Sequence, residues 1–416
     1  MSMPSLLELH GTRDISVPRL PLIEVQRSSK ALALEKIEQR GRFFFHKDQK
    51  FFLKGVTYGP FAPTAGGGPF PQAAQVDLDF ALMSELGINC FRTFTVPPKA
   101  LLDKAAAHGL RVMVGIPWPQ HISFLDSKRT RSEIRETIAR GVADCSFHPA
   151  VFAYLVGNEI PPEIVRWYGA GKIRKFLGSL LDTAKTADPG TLVSYANFPS
   201  TEYLETDFLD FAAFNVYLHR EEDFRRYLSH LHNLAGDRPL VLTEIGIDSI
   251  GQGRQFQAEA LSWQLRASFE SGVAGTVVFS WTDDWHAYSG PEGFQVEDWA
   301  VGLVDRHRQK KPAFAAVQQY YSGALPPPLP AYPKVSVIVC VYNGERTLDA
   351  CLASLKKLNY PNYEVVVVND GSTDDTSSLL ADWKPKQTTP VEVIAHPQNC
   401  GKAAALQTAF AAARRA

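Results

Sequence analysis

Residues 151–163 read VFAYLVGNEIPPE: a run of strand-forming residues, then Asn158 and Glu159, then two prolines suited to opening a helix. The run has no polar alternation, so neither of its faces is solvated. That is the signature of a parallel strand covered by helices on both sides. Comparable apolar segments recur at 51–58, 88–94, 110–116, 191–197, 210–217, 239–245 and 275–281, making eight in all. Eight strand–helix units over about 270 residues match the size of a closed (β/α)8 TIM barrel, within the α/β class. An open doubly wound sheet is the weaker reading, because no glycine-rich phosphate loop follows the first strand.

The intervening segments carry helix signals. VDLDFALMSELG sets Leu78, Leu82 and Leu86 four apart, on one expected face, and stops at Gly87. PPKALLDKAAAHG is expected to open with Pro98 in its first turn and to stop at Gly109, and the segment from 254 closes likewise at Gly272. Ahead of the barrel, GRFFFHKDQKFFLKG reads as a hairpin with its turn at 46–50, placed to plug the barrel bottom. Residues 1–40 form an N-terminal extension with no strong pattern, leaving 41–322 for the barrel.

Composition narrows the function. Apolar residues make up 45% and charged residues 21%, a globular profile, and a net charge of -1 gives no bulk attraction to nucleic acid or an anionic membrane. The start lacks a basic segment followed by an apolar one, and no window is long and apolar enough to span a bilayer, so a cytoplasmic location is expected. The five scattered cysteines show no metal-ligand spacing and read as buried thiols in a reducing compartment; no cofactor or metal is expected.

In a barrel of this kind chemistry collects at the carboxyl ends of the strands. Those ends carry Tyr58, Arg92, Trp118, Asn158 with Glu159, Asn197, Tyr217, Glu244, and Trp281 followed by Asp283 and Asp284. Glu159 and Glu244 close the fourth and seventh strands and should face each other across the mouth. Two carboxylates flanking a pocket suit glycoside cleavage, one donating a proton and the other attacking or directing water. Arg92 is the cation that would keep one of them ionised, Tyr217 could bond to a carboxylate, and Trp281 offers a flat face to a sugar ring. Tyr58, Trp118 and His219 divide between pocket wall and packing, and the two aspartates between sugar ligands and solvated loop acids. His148 is read as structural, near the entrance of the fourth strand.

The segments LVGNEI, PLVLTEIGID, INCFRTF, FNVYLH and VVFSWTDDW together resemble the clan A retaining glycoside hydrolases, nearest to the barrels of families 2 and 5. The resemblance implies Glu159 as acid/base and Glu244 as nucleophile. It also implies Asn158 on the sugar 2-hydroxyl, Tyr217 and Arg92 orienting Glu244, and Trp281 under the glycone. Family 2 enzymes normally place β-sandwich domains before the barrel, and the residues here are too few to form them.

A second pattern follows the proline-rich stretch at 323–333. Residues 334–416 open a nucleotide-binding α/β fold, with VSVIVCVY, EVVVVND and VEVIA as strands. They resemble the start of a family 2 glycosyltransferase, of the type called GT-A. By that resemblance Tyr342 and Asp370 would flank a nucleobase, with Lys402 near, and a UDP-sugar would be a partner of a longer protein. The later Asp-x-Asp and acidic base are missing, so this chain is expected to be a piece of a longer fused protein and to transfer no sugar by itself.

The combined expectation is a retaining β-glycosidase or transglycosidase acting on a β-linked, glucan-like oligosaccharide or polysaccharide made by its own transferase. The alternative is a catalytically silent carbohydrate-binding or regulatory module of that transferase.

Overall fold

The computed structural model describes residues 34–63, 68–287, 293–323, 332–358 and 360–414. Most of the expected N-terminal extension and of the proline-rich stretch lies outside these residues. The chain divides into two compact units, Met1–Pro327 and Pro328–Ala416, which are taken separately.

In the first unit eight parallel strands close into a barrel. In chain order they are β4 (Leu53–Thr57), β5 (Cys90–Thr93), β6 (Arg111–Gly115), β7 (Val151–Asn158), β8 (Leu192–Asn197), β9 (Ala212–Asn215), β10 (Leu240–Ile245) and β11 (Gly275–Val278). Each corresponds to one of the eight apolar runs, and β11 pairs back onto β4 to close the ring. Helices cover the outside, which is why strands such as β5 and β10 are buried at every position.

The hairpin is present and does plug the bottom. Strands β1 (Glu38–Arg40), β2 (Phe43–His46) and β3 (Gln49–Phe51) form an antiparallel sheet, with the turn at Lys47 and Asp48. Phe44 of β2 is fully buried and meets Phe152 and Phe211 edge-to-face at centroid distances of 5.1 and 5.7 Å. These rings stand at the amino-terminal ends of β7 and β9. They seal the end of the barrel opposite the mouth, while β12 (His286–Ala287) and β13 (Phe294–Gln295) form a short hairpin after β11.

The leucine face expected for the first helix is corrected. In Ala73–Leu86 the buried apolar residues are Val76, Phe80, Met83 and Leu86, whereas Leu78 is 61% exposed. Residues four apart drift about 40° round a helix, so a stripe of three leucines is not straight, and the larger Phe80 decides which side faces in. Gly87 ends that helix with φ 86°, and a Cβ there would lie 2.7 Å from the carbonyl carbon of Tyr321. Pro98 stands just outside the helix Lys99–Ala107, as its cap, rather than in its first turn.

The second unit is a three-stranded parallel sheet in the order β14 (Val335–Val341), β15 (Tyr363–Asn369), β16 (Val391–Ala395). The central strand alternates its valines between two cores. Val365 and Val367 face the helices Leu348–Leu355 and Thr376–Trp383, while Val366 and Val368 face Lys402–Ala413. This is the open α/β sheet expected, with helices on both faces.

Only two cysteines are buried thiols as expected. Cys90 and Cys145 are enclosed, and burial pushes both up to about 12. Cys340 is half-buried, while Cys351 and Cys400 are exposed because they fall on the outer side of a helix and in a loop. Among the described residues no helix is long and apolar enough to cross a membrane.

Candidate active site

A cavity of about 590 Å³ opens at the carboxyl ends of the strands, lined among others by Asn158, Glu159, Tyr217, His219 and Glu244. Its chemistry is built by short hydrogen bonds between strand ends. Arg92, at the end of β5 and 1% exposed, donates from Nη1 to Glu244 Oε1 at 2.9 Å and to the carbonyl of Thr243 at 2.9 Å. Its Nη2 donates to Asn158 Oδ1 at 2.7 Å. Tyr217 donates its hydroxyl to the other Glu244 oxygen, Oε2, at 2.6 Å.

The residue that joins the two carboxylates was missed in the sequence. Asn215, the last residue of β9, donates from Nδ2 to Glu159 Oε1 at 2.8 Å and to Glu244 Oε1 at 2.9 Å. The two bonds together bound the separation of those carboxylate oxygens at 5.7 Å. The carboxamide cannot turn round, because its Oδ1 accepts from Thr243 Oγ1 at 2.8 Å and from Arg92 at 3.3 Å. The signal lay in FNVYLH, where Asn215 precedes Tyr217 by two and so shares its side of an extended chain.

Burial pushes the Glu244 carboxyl above its ordinary value. The Arg92 guanidinium pulls it down, the neighbouring Glu159 pushes it up, and the bond from Tyr217 lowers it. Burial and the Glu244 charge in turn hold the Tyr217 phenol well above its usual range, so it is a donor at neutral pH.

Glu159 has φ 50°, in the left-handed region. Such a conformation costs a residue with a Cβ about 1–2 kcal/mol, and the neighbours hold it. Glu159 N donates to the Ala196 carbonyl at 2.9 Å, and Ile160 N donates to the Tyr195 hydroxyl at 2.7 Å. Gln120 grips Asn158, accepting from its amide at 3.0 Å and donating to its carbonyl.

Three expected pocket residues are elsewhere. Trp281 is fully buried, packs towards Phe314 and does not line the cavity. The aromatic wall is made instead by Phe94, Phe279, Trp285 and Trp299, with Trp285 5.0 Å from Phe279 and 5.6 Å from Trp299. Phe279 lies two residues before Trp281 and takes the inward side. Tyr58 is enclosed by Phe61, Phe80 and Phe91 and donates its hydroxyl to Asp79 at 2.9 Å. Trp118 packs on Phe124 and spends its indole N–H on the Val156 carbonyl at 2.8 Å. Asp283 and Asp284 are ion-paired, with Lys311 at 3.0 Å and Arg308 at 2.6 Å respectively, and are neither sugar ligands nor solvated acids. His148 faces Asp103 at 3.0 Å below the start of β7, away from the mouth.

In the second unit Asp370 follows β15 directly, and its Oδ1 meets His396 Nδ1 at 2.6 Å and accepts from Cys400 N at 3.0 Å. The Cys400 amide, then His396, hold its carboxyl below the usual carboxylate range. Asp370, His396 and Cys400 bring three ligand-type atoms within 4.8 Å, a cluster that their sequence spacing does not announce. Both His396 nitrogens are engaged, the second with Thr408 at 2.9 Å. Tyr342 is 48% exposed after β14, and Lys402 begins the last helix, so all three expected nucleotide residues lie beyond the carboxyl edge of the sheet.

Residues 37–324 match the model of the glycosyl hydrolases family 2 TIM barrel domain, and residues 336–415 that of glycosyl transferase family 2. A β-galacturonidase of Eisenbergiella tayi superposes with a TM-score of 0.59 at 20% identity, over 71% of this chain and 55% of that one. A β-glucuronidase of Bifidobacterium dentium gives 0.58 at 18%, over 69% and 49%. At such identity the likeness is one of fold. An uncharacterized glycosyltransferase of Haemophilus influenzae is 42% identical over 69 residues, 17% of this chain and 21% of that protein. The chain thus spans about half the length of the solved relatives and about a fifth of the curated one.

Proposed function

Because the chain belongs to the family 2 glycosyl hydrolases through its barrel and carries a family 2 glycosyl transferase domain, we propose that the barrel cleaves or transfers β-linked glycosides by retaining double displacement. Its substrate is an oligosaccharide or polysaccharide, with the product of its own transferase as first candidate. The observation that carries the reading is the Asn215 carboxamide shared by two carboxylates whose Oε1 atoms are at most 5.7 Å apart. Retaining enzymes set their carboxyl groups about 5–5.5 Å apart, whereas inverting ones need about 6.5–9.5 Å to admit a water between acid and base.

In the first step the ionised Glu244 attacks the anomeric carbon while Glu159 gives its proton to the departing oxygen. The C–O bond to the aglycone breaks as an ester to Glu244 forms. In the second step Glu159 takes a proton from water, or from an acceptor hydroxyl, whose oxygen displaces Glu244 and restores the original anomer. Arg92 and Tyr217 stabilise the Glu244 carboxylate at the start and on its release, and Asn158 is placed to hold the sugar 2-hydroxyl. A cytosolic nucleotide-sugar supply to the transferase domain would support a cytosolic place for the barrel's work as well. Tyr342, Asp370 and Lys402 would serve a UDP-sugar in a longer chain.

The test is hydrolysis of aryl β-glycosides by Glu159→Gln and Glu244→Gln, each expected to lose at least about 1,000-fold in kcat. Azide added to Glu244→Ala should yield the glycosyl azide of opposite anomeric configuration. Full activity in either glutamine variant would sink the reading, and saturable oligosaccharide binding without turnover in the wild type would favour a silent module.

A further inference from the structure

We propose that the glycone subsite takes an uncharged sugar and rejects uronic acids, a conclusion that rests on the glycosidase reading and narrows its substrate class.

The cavity is lined by three carboxylates, Glu159, Glu244 and Asp248, and among the described residues by no lysine or arginine. Asp248 accepts from the amides of Ile250 at 2.9 Å and Gly251 at 2.8 Å through one oxygen and from Ala300 at 2.9 Å through the other. Burial would raise this carboxyl, but the amides of Gly251, Ala300 and Ile250, with the Lys311 charge, hold it below the usual range. It is therefore a fixed negative charge on the wall at neutral pH.

Arg92, Lys311, Arg308, Arg306 and Arg220 are paired elsewhere. Arg92 lies behind Glu244 and uses both terminal nitrogens on Thr243, Asn215, Glu244 and Asn158. Lys311, 1% exposed, is bound by Ser249, Asp283 and Ala300 at 2.9, 3.0 and 2.9 Å. Arg308 is held by Asp79 and Asp284, and Arg306 by Glu297. Arg220, beside His219 in the chain, faces Asp223 at 3.6 Å. The residues at 64–67 and 288–292, TAGG and YSGPE, contain no lysine or arginine.

A sugar carboxylate entering this cavity would lose its water, find no cation in the lining and meet two like charges, Glu244 and Asp248, beside the protonated Glu159, a combination that costs an unpaired charge more than an ordinary lost hydrogen bond. The remaining wall suits a neutral ring. Phe94, Phe279, Trp285 and Trp299 form one continuous aromatic surface on which the apolar C–H face of a pyranose can lie. Trp299, 43% exposed, carries that surface out to the rim.

The experiment is a panel of 4-methylumbelliferyl β-glycosides at pH 7.5 with the whole chain. It includes glucoside, galactoside, mannoside, xyloside and N-acetylglucosaminide against glucuronide, galacturonide and the glucuronide methyl ester. The best neutral glycoside should exceed both uronides in kcat/KM by at least about 100-fold, and the methyl ester should outrun the free glucuronide. A uronide within tenfold of the best neutral substrate would overturn the inference and leave the glycosidase reading standing; an ester no better than its acid would also overturn it, by assigning the rejection to shape. If nothing turns over, the glycosidase reading falls, and calorimetry with isofagomine and its C6-carboxylate decides the charge preference. Tighter binding of the neutral compound supports it, and equal or weaker binding refutes it.

Discussion

Tyr217→Phe removes one hydroxyl and leaves the ring on Phe279, 6.1 Å away between centroids. The lost interaction is the 2.6 Å bond to Glu244 Oε2. A hydrogen bond to a charged partner is worth about 1.5–3 kcal/mol, and one pKa unit is about 1.4 kcal/mol, so the Glu244 carboxyl should rise by about 1–2 units. The sign follows from the chemistry. In the proposed mechanism Glu244 must be ionised to attack; burial already raises it, and Tyr217 is among the groups that pull it down. Without the hydroxyl the acid limb of kcat/KM should move to higher pH by about 1–2 units, with about a tenfold loss per unit at pH values below the new limb. The alkaline limb, which reports the proton donor, should move less. Stability should follow the same group: a carboxyl raised in the folded state leaves the fold undisturbed below its unfolded value and weakens it as pH rises towards the raised value. The variant should therefore match the wild type in acid and fall behind it towards neutrality. The assay is a pH–rate profile on an aryl β-glycoside, with near-ultraviolet circular dichroism to verify packing. An unmoved acid limb in a folded variant would refute the reasoning.

Other perturbations separate catalysis from architecture. Asn215→Ala removes the group that spaces the two glutamates and should lower kcat/KM by about 100-fold or more, with a lower thermal midpoint as well, because Thr243 Oγ1 and Arg92 lose a buried acceptor. Phe44→Ala opens the barrel plug between Phe152 and Phe211 and should cost about 3–5 kcal/mol in denaturant unfolding. The catalytic constants of its folded fraction should match wild type, since the plug lies opposite the mouth. Gly87→Ala sets a Cβ 2.7 Å from the Tyr321 carbonyl carbon at φ 86°, and should destabilise by more than the about 1 kcal/mol of the backbone conformation alone, read as a lower melting temperature.

The barrel and its glutamates were legible because both depend on short local patterns. An apolar run buried on both faces reads as a parallel strand wherever it occurs, and polar residues at its carboxyl end fall at the mouth. Arg92, Asn158, Glu159, Tyr217 and Glu244 meet for that reason. Trp281 was misjudged by two positions, because β11 ends at Val278 and the chain beyond it no longer follows strand alternation. Phe279 took the inward place. Tyr58 and Trp118 show the other limit: their hydroxyl and indole groups found buried acceptors, Asp79 and Val156, whose proximity only the folded chain creates. Trp285 and Trp299 lie in loops, where sequence order says little about which face a side chain presents. The leucine stripe at 78, 82 and 86 failed for a similar reason, since a helix face is chosen by what it packs against.

The backbone of Glu159 has a consequence for how this protein could lose its chemistry. At φ 50° a glutamate is among the less comfortable residues, whereas glycine or asparagine would relax the same turn. By the proposed mechanism such a substitution would silence the barrel while easing this backbone turn, at the loss of the 2.8 Å bond from Asn215. A glutamate at this turn thus carries a backbone cost that the contacts of its carboxyl must offset.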